Sequence, residues 1–93
     1  MAAYVVDVTR RANEDLQSLS SDVALRVAKK MEMLAEDPSP RGDTVKRLVG
    51  IDPVTFRLRI GDYRAVFRVD GTVVRVLRIV HKSQAKLTLR DLQ

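Results

Sequence analysis

The chain is short, basic and free of cysteine, and these three properties already exclude several classes of protein. Its 93 residues suffice for one domain with a modest core, so we expect a single domain over residues 1–93. Without cysteine there are no disulfides or cysteine–metal sites, and no apolar run approaches the roughly 18 residues of a membrane span. The first charge comes at Asp7, too early for a secretory signal. We therefore expect a cytoplasmic protein without a membrane partner.

Positive charge is concentrated in the last part of the chain. Residues 1–55 contain 8 Lys/Arg and 9 Asp/Glu, for a net charge of −1, whereas residues 56–93 contain 9 and 3, for a net charge of +6. An excess confined to one region indicates a surface for an anionic partner.

The first part of the chain predicts a strand followed by two helices. Residues 3–8 form a β-branched run that is typical of a strand. Thr9 is a helix cap, and apolar residues then recur at helical spacing. Residues 20–22 end the first helix and cap a second, which stops before Pro38. So short a connection favours an antiparallel helix pair, and the adjacent basic pairs Arg10-Arg11 and Lys29-Lys30 fit solvated helix positions that add to the positive potential.

The second part predicts a long loop and then a three-stranded antiparallel meander. Residues 38–55 read as loop with a short strand around 46–49. Alternation of period two follows over residues 56–60, 63–69 and 72–80. The strands are separated by the turn signals Gly61-Asp62 and Asp70-Gly71. The fold class is therefore α+β, with an N-terminal strand, a helix pair, the meander and a short C-terminal tail or helix.

Two-residue turns would fix the register of the meander. Ile60 would face Tyr63, and across the second turn Val69 would face Thr72. Because opposed residues share a face, one face is apolar and packs on the helices. The other face, which we call the arginine face, carries Arg57, Arg59, Arg64, Arg68 and Arg75. The same register places Val66, Val73, Leu77, Ile79 and His81 beside these arginines.

Arg78 does not fit this alternation, because it falls on the core-facing side. Three arrangements would accommodate it: extension of its side chain to solvent at the strand end, pairing with an acid from a helix, or a β-bulge. A bulge would also move His81 to the other face.

The chain resembles the RelE/ParE superfamily of bacterial toxins from type II toxin–antitoxin systems. The resemblance covers nearly the whole length, including the strand–helix–helix opening and an Asp-Pro exit from the second helix. Residues 46–50, KRLVG, then occupy the position of the family's L-x-G motif. The most specific part is RLRIGDYR within FRLRIGDYRAVFRVDG, and a β-branched strand ending in His81-Lys82 follows.

The resemblance implies a toxin that an antitoxin protein inhibits. A RelE-like member would be a metal-independent endoribonuclease that cuts mRNA on the ribosome. The catalytic positions would then be Arg57, Arg59, Arg64 and His81 or Lys82, of which His81 has the only reference pKa near neutrality. Further RNA contacts would come from Arg68, Arg75, Lys46 and Arg47. No cofactor or metal is expected, since one histidine without cysteine cannot make a metal site.

The alternative is a ParE-like toxin that inhibits DNA gyrase by binding, without nuclease activity. The tail after Lys82 contains no tyrosine, although RelE-type nucleases usually have one there, and this favours the alternative. Arginine occupies both strand positions, Arg57 and Arg59, and arginine is a poor proton acceptor. The basic positions on adjacent strands favour the nuclease.

Overall fold

The computed structural model of the protein describes residues 3–86 and Arg90 and has the α+β fold that the sequence predicts. The helices are α1 (Arg10–Gln17), α2 (Ser21–Met31) and the short α3 (Met33–Glu36). The strands are β1 (Val5–Val8), β2 (Val45–Arg47), β3 (Phe56–Ile60), β4 (Tyr63–Asp70) and β5 (Val73–His81). They form one five-stranded sheet in the order β1-β5-β4-β3-β2, in which β1 runs parallel to β5 and the other pairs are antiparallel.

The helix boundaries follow from local side-chain chemistry. The Thr9 hydroxyl accepts a hydrogen bond from the Ala12 N–H at 3.2 Å, which is the predicted cap of α1. The second helical segment ends at Asp37, whose backbone is extended as expected before Pro38. One detail differs from the prediction, because a turn at Glu32 divides that segment into α2 and α3.

The apolar face of the sheet packs on the helices, as predicted. The buried residues of this core are Ala12, Val27, Met31 and Leu34 from the helices and Val45, Leu58, Ile60, Ala65, Phe67, Val74, Val76 and Ile79 from the sheet. Burial of this apolar surface is the main favourable contribution to folding. It also fixes which side chains of β3 and β4 point away from the helices.

The hairpin between β3 and β4 has the predicted register, but the next one does not. Ile60 faces Tyr63 across Gly61-Asp62. Val69, however, faces Val74 instead of Thr72, so the second turn is Gly71-Thr72. Only Gly71 has a positive φ in that turn, at 59°. A positive φ at the first central residue alone fits a type II′ turn, whereas the predicted Asp70-Gly71 turn of type I′ needs a positive φ at Asp70 as well.

A β-bulge in β5 changes the predicted faces of the residues that follow it. Phe67 faces Val76, and the next pair is Val66 with Arg78, so Leu77 is the extra residue. Beyond it, Ile79 faces Ala65 in the core, and His81 faces Tyr63. The prediction that Ile79 and His81 lie on the arginine face is therefore wrong.

Helix α1 completes the edge of β5 beyond the end of β1. β1 pairs with Val73–Val76 only, so the rest of that edge needs other hydrogen-bond partners. The Asp15 carboxylate accepts a bond from the Ile79 N–H at 2.9 Å and two from the Arg78 guanidinium, at 2.8 and 3.2 Å. Two of the arrangements considered for Arg78, the bulge and the helix acid, thus occur together.

After β5 the chain forms a 3-10 turn, Lys82–Gln84. The predicted C-terminal tail or helix extends into residues 87–93, of which only Arg90 is among the described residues. No helix in the described part of the chain is long and apolar enough to cross a membrane.

Candidate anion-binding site

Three arginines of the predicted site lie together on the arginine face. Arg57 and Arg59 are two residues apart on β3, and Arg59 faces Arg64 of β4 directly. Partial burial lowers the pKa of Arg64, and the positive charges of Arg57 and Arg59 lower it further. Three guanidinium groups that repel one another in this way form a strongly positive patch.

A carboxylate that the sequence analysis did not single out contacts two arginines of this patch. Asp43 belongs to the loop before β2. Its carboxylate accepts bonds from Arg57 at 3.0 Å and from Arg59 at 2.5 Å, and Lys46 Nζ lies 3.1 Å away. Arg57 also donates to the Asp43 backbone carbonyl at 2.7 Å.

These contacts keep Asp43 ionised. Hydrogen bonds from Lys46, Arg59 and Arg57 lower the pKa of Asp43 from 3.8 to about 2. It is therefore a poor proton acceptor near neutral pH. Its effect is electrostatic: one negative charge is shared among three cations, which leaves the group with a net positive charge.

The position of Asp43 is set by the edge of the sheet. The Arg59 N–H donates to the Thr44 carbonyl at 2.8 Å, so the loop runs directly beside β3. The partners lie 14 and 16 residues further along the chain, which is why local spacing gave no signal. An isolated acid in a loop, next to a strand without acids, is the only sequence cue.

Arg64 is held differently, by its own turn. One guanidinium nitrogen donates to the backbone carbonyls of Gly61 and Tyr63, both at 2.8 Å. The side chain is thereby folded back towards the β3–β4 turn. This arrangement fixes its charge close to that of Arg59 without using an acid.

The arginine face is less open to solvent than the sequence suggested. Val66 and Val80 lie on it, opposite Arg57 and Arg64 respectively, yet they are only 1% and 5% exposed. Leu48 and Ala85 flank this part of the face and line a small pocket of about 110 Å³ together with Arg57, Arg64 and Val66. The patch is thus a cleft with an apolar floor, where water is partly excluded and ionic contacts are stronger.

Arg68 and Arg75 lie at the other end of the arginine face and face each other across β4 and β5. Arg68 donates to the Thr55 hydroxyl at 3.0 Å, and Arg75 pairs with Asp7 at 3.3 Å. They line a separate pocket of about 440 Å³. The two predicted RNA contacts are therefore not part of the cluster around Asp43.

The remaining predicted residues are dispersed. Lys46 faces Arg57 and joins the cluster, whereas Arg47 faces Phe56, on the opposite side of β2. Lys82 follows the strand and pairs with Asp62 at 3.4 Å. The His81 ring lies edge-on to Tyr63, with 5.5 Å between ring centroids, and its Nδ1 accepts a bond from the Ser83 N–H. Of the predicted catalytic residues, only the three arginines converge.

No group of three or more His, Cys, Asp or Glu side chains within residues 3–86 and Arg90 is arranged to hold a metal ion. The cluster instead has the chemistry of an anion site. Guanidinium groups bind the oxygens of phosphate or carboxylate in a bidentate manner, and Asp43 already shows a carboxylate bound there.

The fold is that of a class of small toxins, and comparison with known proteins identifies the family. The profile described as ParE toxin of type II toxin-antitoxin system, parDE, matches residues 6–86. The chain belongs to this family, within the RelE/ParE superfamily, and is the toxin of a type II toxin–antitoxin system. No match was found among curated protein sequences.

Solved structures of RelE toxins share the fold. The chain is similar to the archaeal RelE–RelB complex from Pyrococcus horikoshii OT3, with a TM-score of 0.73 and 27% identity over 88% of this chain and 98% of that one. The RelBE2 toxin–antitoxin complex from Mycobacterium tuberculosis gives 0.73 and 30% over 85% and 98%. The intact E. coli RelBE complex gives 0.64 and 32% over 85% and 96%. The predicted family and fold are confirmed.

Proposed function

We propose that this toxin is a metal-independent endoribonuclease that cuts mRNA bound to the ribosome and so inhibits translation. The observation that carries the proposal is that Arg57 and Arg59 hold a carboxylate, while the guanidinium of Arg64 lies beside them. A site that holds a carboxylate with two guanidinium groups also fits the oxygens of a phosphodiester. The similarity to RelE toxins supports the choice of RNA as the substrate.

The proposed reaction is transfer of a phosphodiester within the RNA. The 2′-oxygen attacks the neighbouring phosphorus and loses its proton, a 2′,3′-cyclic phosphate forms, and the 5′-oxygen leaves and gains a proton. Negative charge builds on the phosphoryl oxygens during this step, and Arg57, Arg59 and Arg64 would stabilise it. Asp43 must give up its arginine contacts when the phosphate enters.

Proton transfer has weaker structural support than charge stabilisation. His81 is the one imidazole of the chain and so the first proton-transfer candidate, and it follows Val80, which faces Arg64. Its ring, however, packs against Tyr63, on the other side of the strand. We therefore assign the arginines the main contribution and leave substrate alignment largely to the ribosome.

The proposed partner is an antitoxin that covers the basic cleft. Two of the similar structures are RelE bound to RelB, which supports an antitoxin protein as the partner of this chain. An acidic or mixed extended segment would replace Asp43 at the arginines. Burial of apolar side chains, including those near the cleft floor, would supply much of the affinity. We place both interactions in the cytoplasm.

The test is a purified translation system in which mRNA ends are mapped after the toxin is added. The wild-type protein should cleave within the codon in the ribosomal A site. The triple variant Arg57→Gln/Arg59→Gln/Arg64→Gln should cleave at least about 100-fold more slowly, since each charge-stabilising donor is worth about 100- to 1000-fold.

A control with the same net charge separates the site from overall charge. The variant Arg10→Gln/Arg11→Gln/Arg90→Gln removes three charges from exposed positions that are not among the residues lining the cleft. It should cleave like the wild type. Equal activity of the two triple variants would refute the role of the arginine face.

Inhibition of DNA gyrase by binding is the second candidate function. Two observations favour it: the matching family is that of ParE toxins, and His81 faces away from the arginine cluster. A supercoiling assay with purified gyrase distinguishes the candidates. Inhibited supercoiling together with intact mRNA in the translation assay would replace the nuclease by this alternative.

A further inference from the structure

A second concave basic surface lies beside the arginine face. A groove of about 630 Å³ runs between α2 and the end of β3. We call it the α2–β3 groove. Its charged lining residues are Arg26, Lys29 and Lys30 of α2, Arg59 of β3, and Asp43. Four cations and one acid thus surround a space large enough for a chain segment.

The three cations of α2 are grouped without acidic partners. Arg26 is three residues before Lys29 and four before Lys30, so their side chains lie on neighbouring positions of the helix surface. None of them forms an ion pair with a carboxylate of the described chain, whereas Arg57, Arg59, Arg75 and Arg78 all do. Like charges at this spacing destabilise a helix. The helix dipole favours Lys29 and Lys30 in the last turn of α2, but it offers nothing to Arg26.

Arg59 connects the groove to the cluster on the arginine face. It lines the groove, and it also contacts Asp43 and faces Arg64. An anionic chain bound at the cluster can therefore continue past Arg59 towards α2. Successive phosphates of one strand would meet positive charge along the whole of this path.

We propose that the α2–β3 groove binds the backbone phosphates of single-stranded RNA next to the phosphate held by the arginine cluster. The proposal rests on the proposed function in taking RNA as the ligand. It assigns Arg26, Lys29 and Lys30 to substrate binding and gives them no part in the chemistry. These residues then raise affinity and orient the strand.

The lining of the groove favours a nucleic acid over an acidic peptide. Ile60 is the one large apolar residue in the lining and is 4% exposed. The exposed large apolar residues of the described chain, Val5, Leu25, Val49, Val54 and Val69, lie outside the lining. A docked peptide draws much of its affinity from apolar anchors, whereas a phosphate backbone needs only positive charge.

The experiment compares two variants, each of which removes two positive charges from consecutive residues. Lys29→Gln/Lys30→Gln alters the groove, and Arg10→Gln/Arg11→Gln alters α1 elsewhere. The binding of a fluorescent ten-residue oligouridylate to the isolated toxin is measured by anisotropy over a series of salt concentrations. Circular dichroism and thermal melting confirm that each variant is folded.

The slope of log affinity against log salt is negative. In the Lys29→Gln/Lys30→Gln variant it should become less steep, by roughly 0.7 for each lost phosphate contact and so by roughly 1.4 for two. Affinity at low salt should fall about tenfold or more. The α1 pair should leave the slope unchanged. The proposal would be overturned if the two variants had equal salt slopes, or if the Lys29→Gln/Lys30→Gln variant had the slope of the wild type.

Other outcomes separate this proposal from the proposed function. Suppose that the wild-type toxin cuts no mRNA, while the Lys29→Gln/Lys30→Gln variant still has a less steep slope of log affinity against log salt. The nuclease proposal then fails, and the groove remains an RNA-binding site. If cleavage occurs and the groove pair binds RNA like the wild type, only the groove proposal fails. If the Lys29→Gln/Lys30→Gln variant loses affinity for an acidic antitoxin peptide but binds RNA like the wild type, the groove binds a protein partner and the RNA assignment is overturned.

Discussion

Two arginine–carboxylate clusters in this molecule use the same chemistry in opposite surroundings. Asp15 of α1 binds Arg78 of β5 through two hydrogen bonds, and both side chains are less than one-fifth exposed, at 16% and 17%. Asp43 binds Arg57 and Arg59, but it is 54% exposed, and Lys46 is a third cation beside it. The first cluster balances one charge with one charge, and the second holds one acid among several cations.

The difference shows which cluster has a structural role and which can bind a ligand. Asp15 also accepts the Ile79 N–H, so it joins α1 to the edge of the sheet. Removing it would take the Asp15 contacts away from a guanidinium and a backbone N–H in a poorly hydrated place. Asp43 can leave its arginines at little cost, because water replaces its contacts and an incoming phosphate replaces its charge.

The largest effect on stability should therefore come from Asp15→Ala. We expect the free energy of unfolding to fall by about 2–3 kcal/mol, somewhat less than for a completely buried pair. The melting temperature should fall by about 10 °C or more. Urea denaturation and thermal melting measure both quantities.

Its matched control is Glu14→Ala, one residue earlier on the same helix. Glu14 pairs with Arg10 on the exposed surface, at 3.4 Å. This substitution should change the free energy of unfolding by less than about 0.5 kcal/mol. If the two variants lose equal stability, the Asp15–Arg78 pair does not have the structural role assigned to it.

A smaller effect of the opposite kind is expected for Asp43→Asn. The amide removes the internal anion that competes with phosphate at Arg57 and Arg59. Affinity for a short single-stranded RNA should rise by about two- to fivefold, as expected for the loss of exposed ion pairs. The melting temperature should fall less than for Asp15→Ala.

Anisotropy titration at moderate salt measures this change, with Glu14→Gln as a control of equal net charge. Weaker RNA binding by Asp43→Asn would show the reverse role. Asp43 would then orient the arginines for phosphate instead of competing with it.

The smallest expected effect concerns the pH dependence of stability. The pKa of Asp43 is lowered from 3.8 to about 2, so folding favours its ionised form. Its stabilising contribution is present above about pH 4 and is lost as the pH falls towards 2. The difference in denaturation midpoint between the wild type and Asp43→Asn should therefore narrow over this range. If the difference in midpoint stays constant from pH 5 to pH 2, Arg57 and Arg59 do not bind the Asp43 carboxylate when the protein is in solution.

The sequence predicted what depends on nearby residues. The cap at Thr9, the end of the helical segment before Pro38 and the β3–β4 register across Gly61-Asp62 all follow from local rules, and the structure has them. The convergence of Arg57, Arg59 and Arg64 follows from that register. The RLRIGDYR stretch also identified the family correctly.

The features that the sequence missed depend on distant contacts. The bulge at Leu77 lets Arg78 bind Asp15 on α1, some 60 residues away. Asp43 reaches the cluster because a proline-rich loop folds back along β3. The second hairpin was misplaced because Asp70-Gly71 is a strong turn signal, although Gly71-Thr72 suits the twist of the strands as well.

The extra residue in β5 decides on which side of the sheet the end of that strand lies. A chain lacking Leu77 could pair Val76 with Phe67 and Arg78 with Val66 as now, so Ile79 would stay in the core and His81 would stay opposite Tyr63. If Leu77 instead paired with Val66 in a regular ladder, each later residue would move to the other side: Ile79 would leave the core, and the imidazole at the strand end would join the guanidinium groups. The choice between a bulged and a regular strand would thus move a histidine into or out of the basic cleft, with no substitution at the histidine itself.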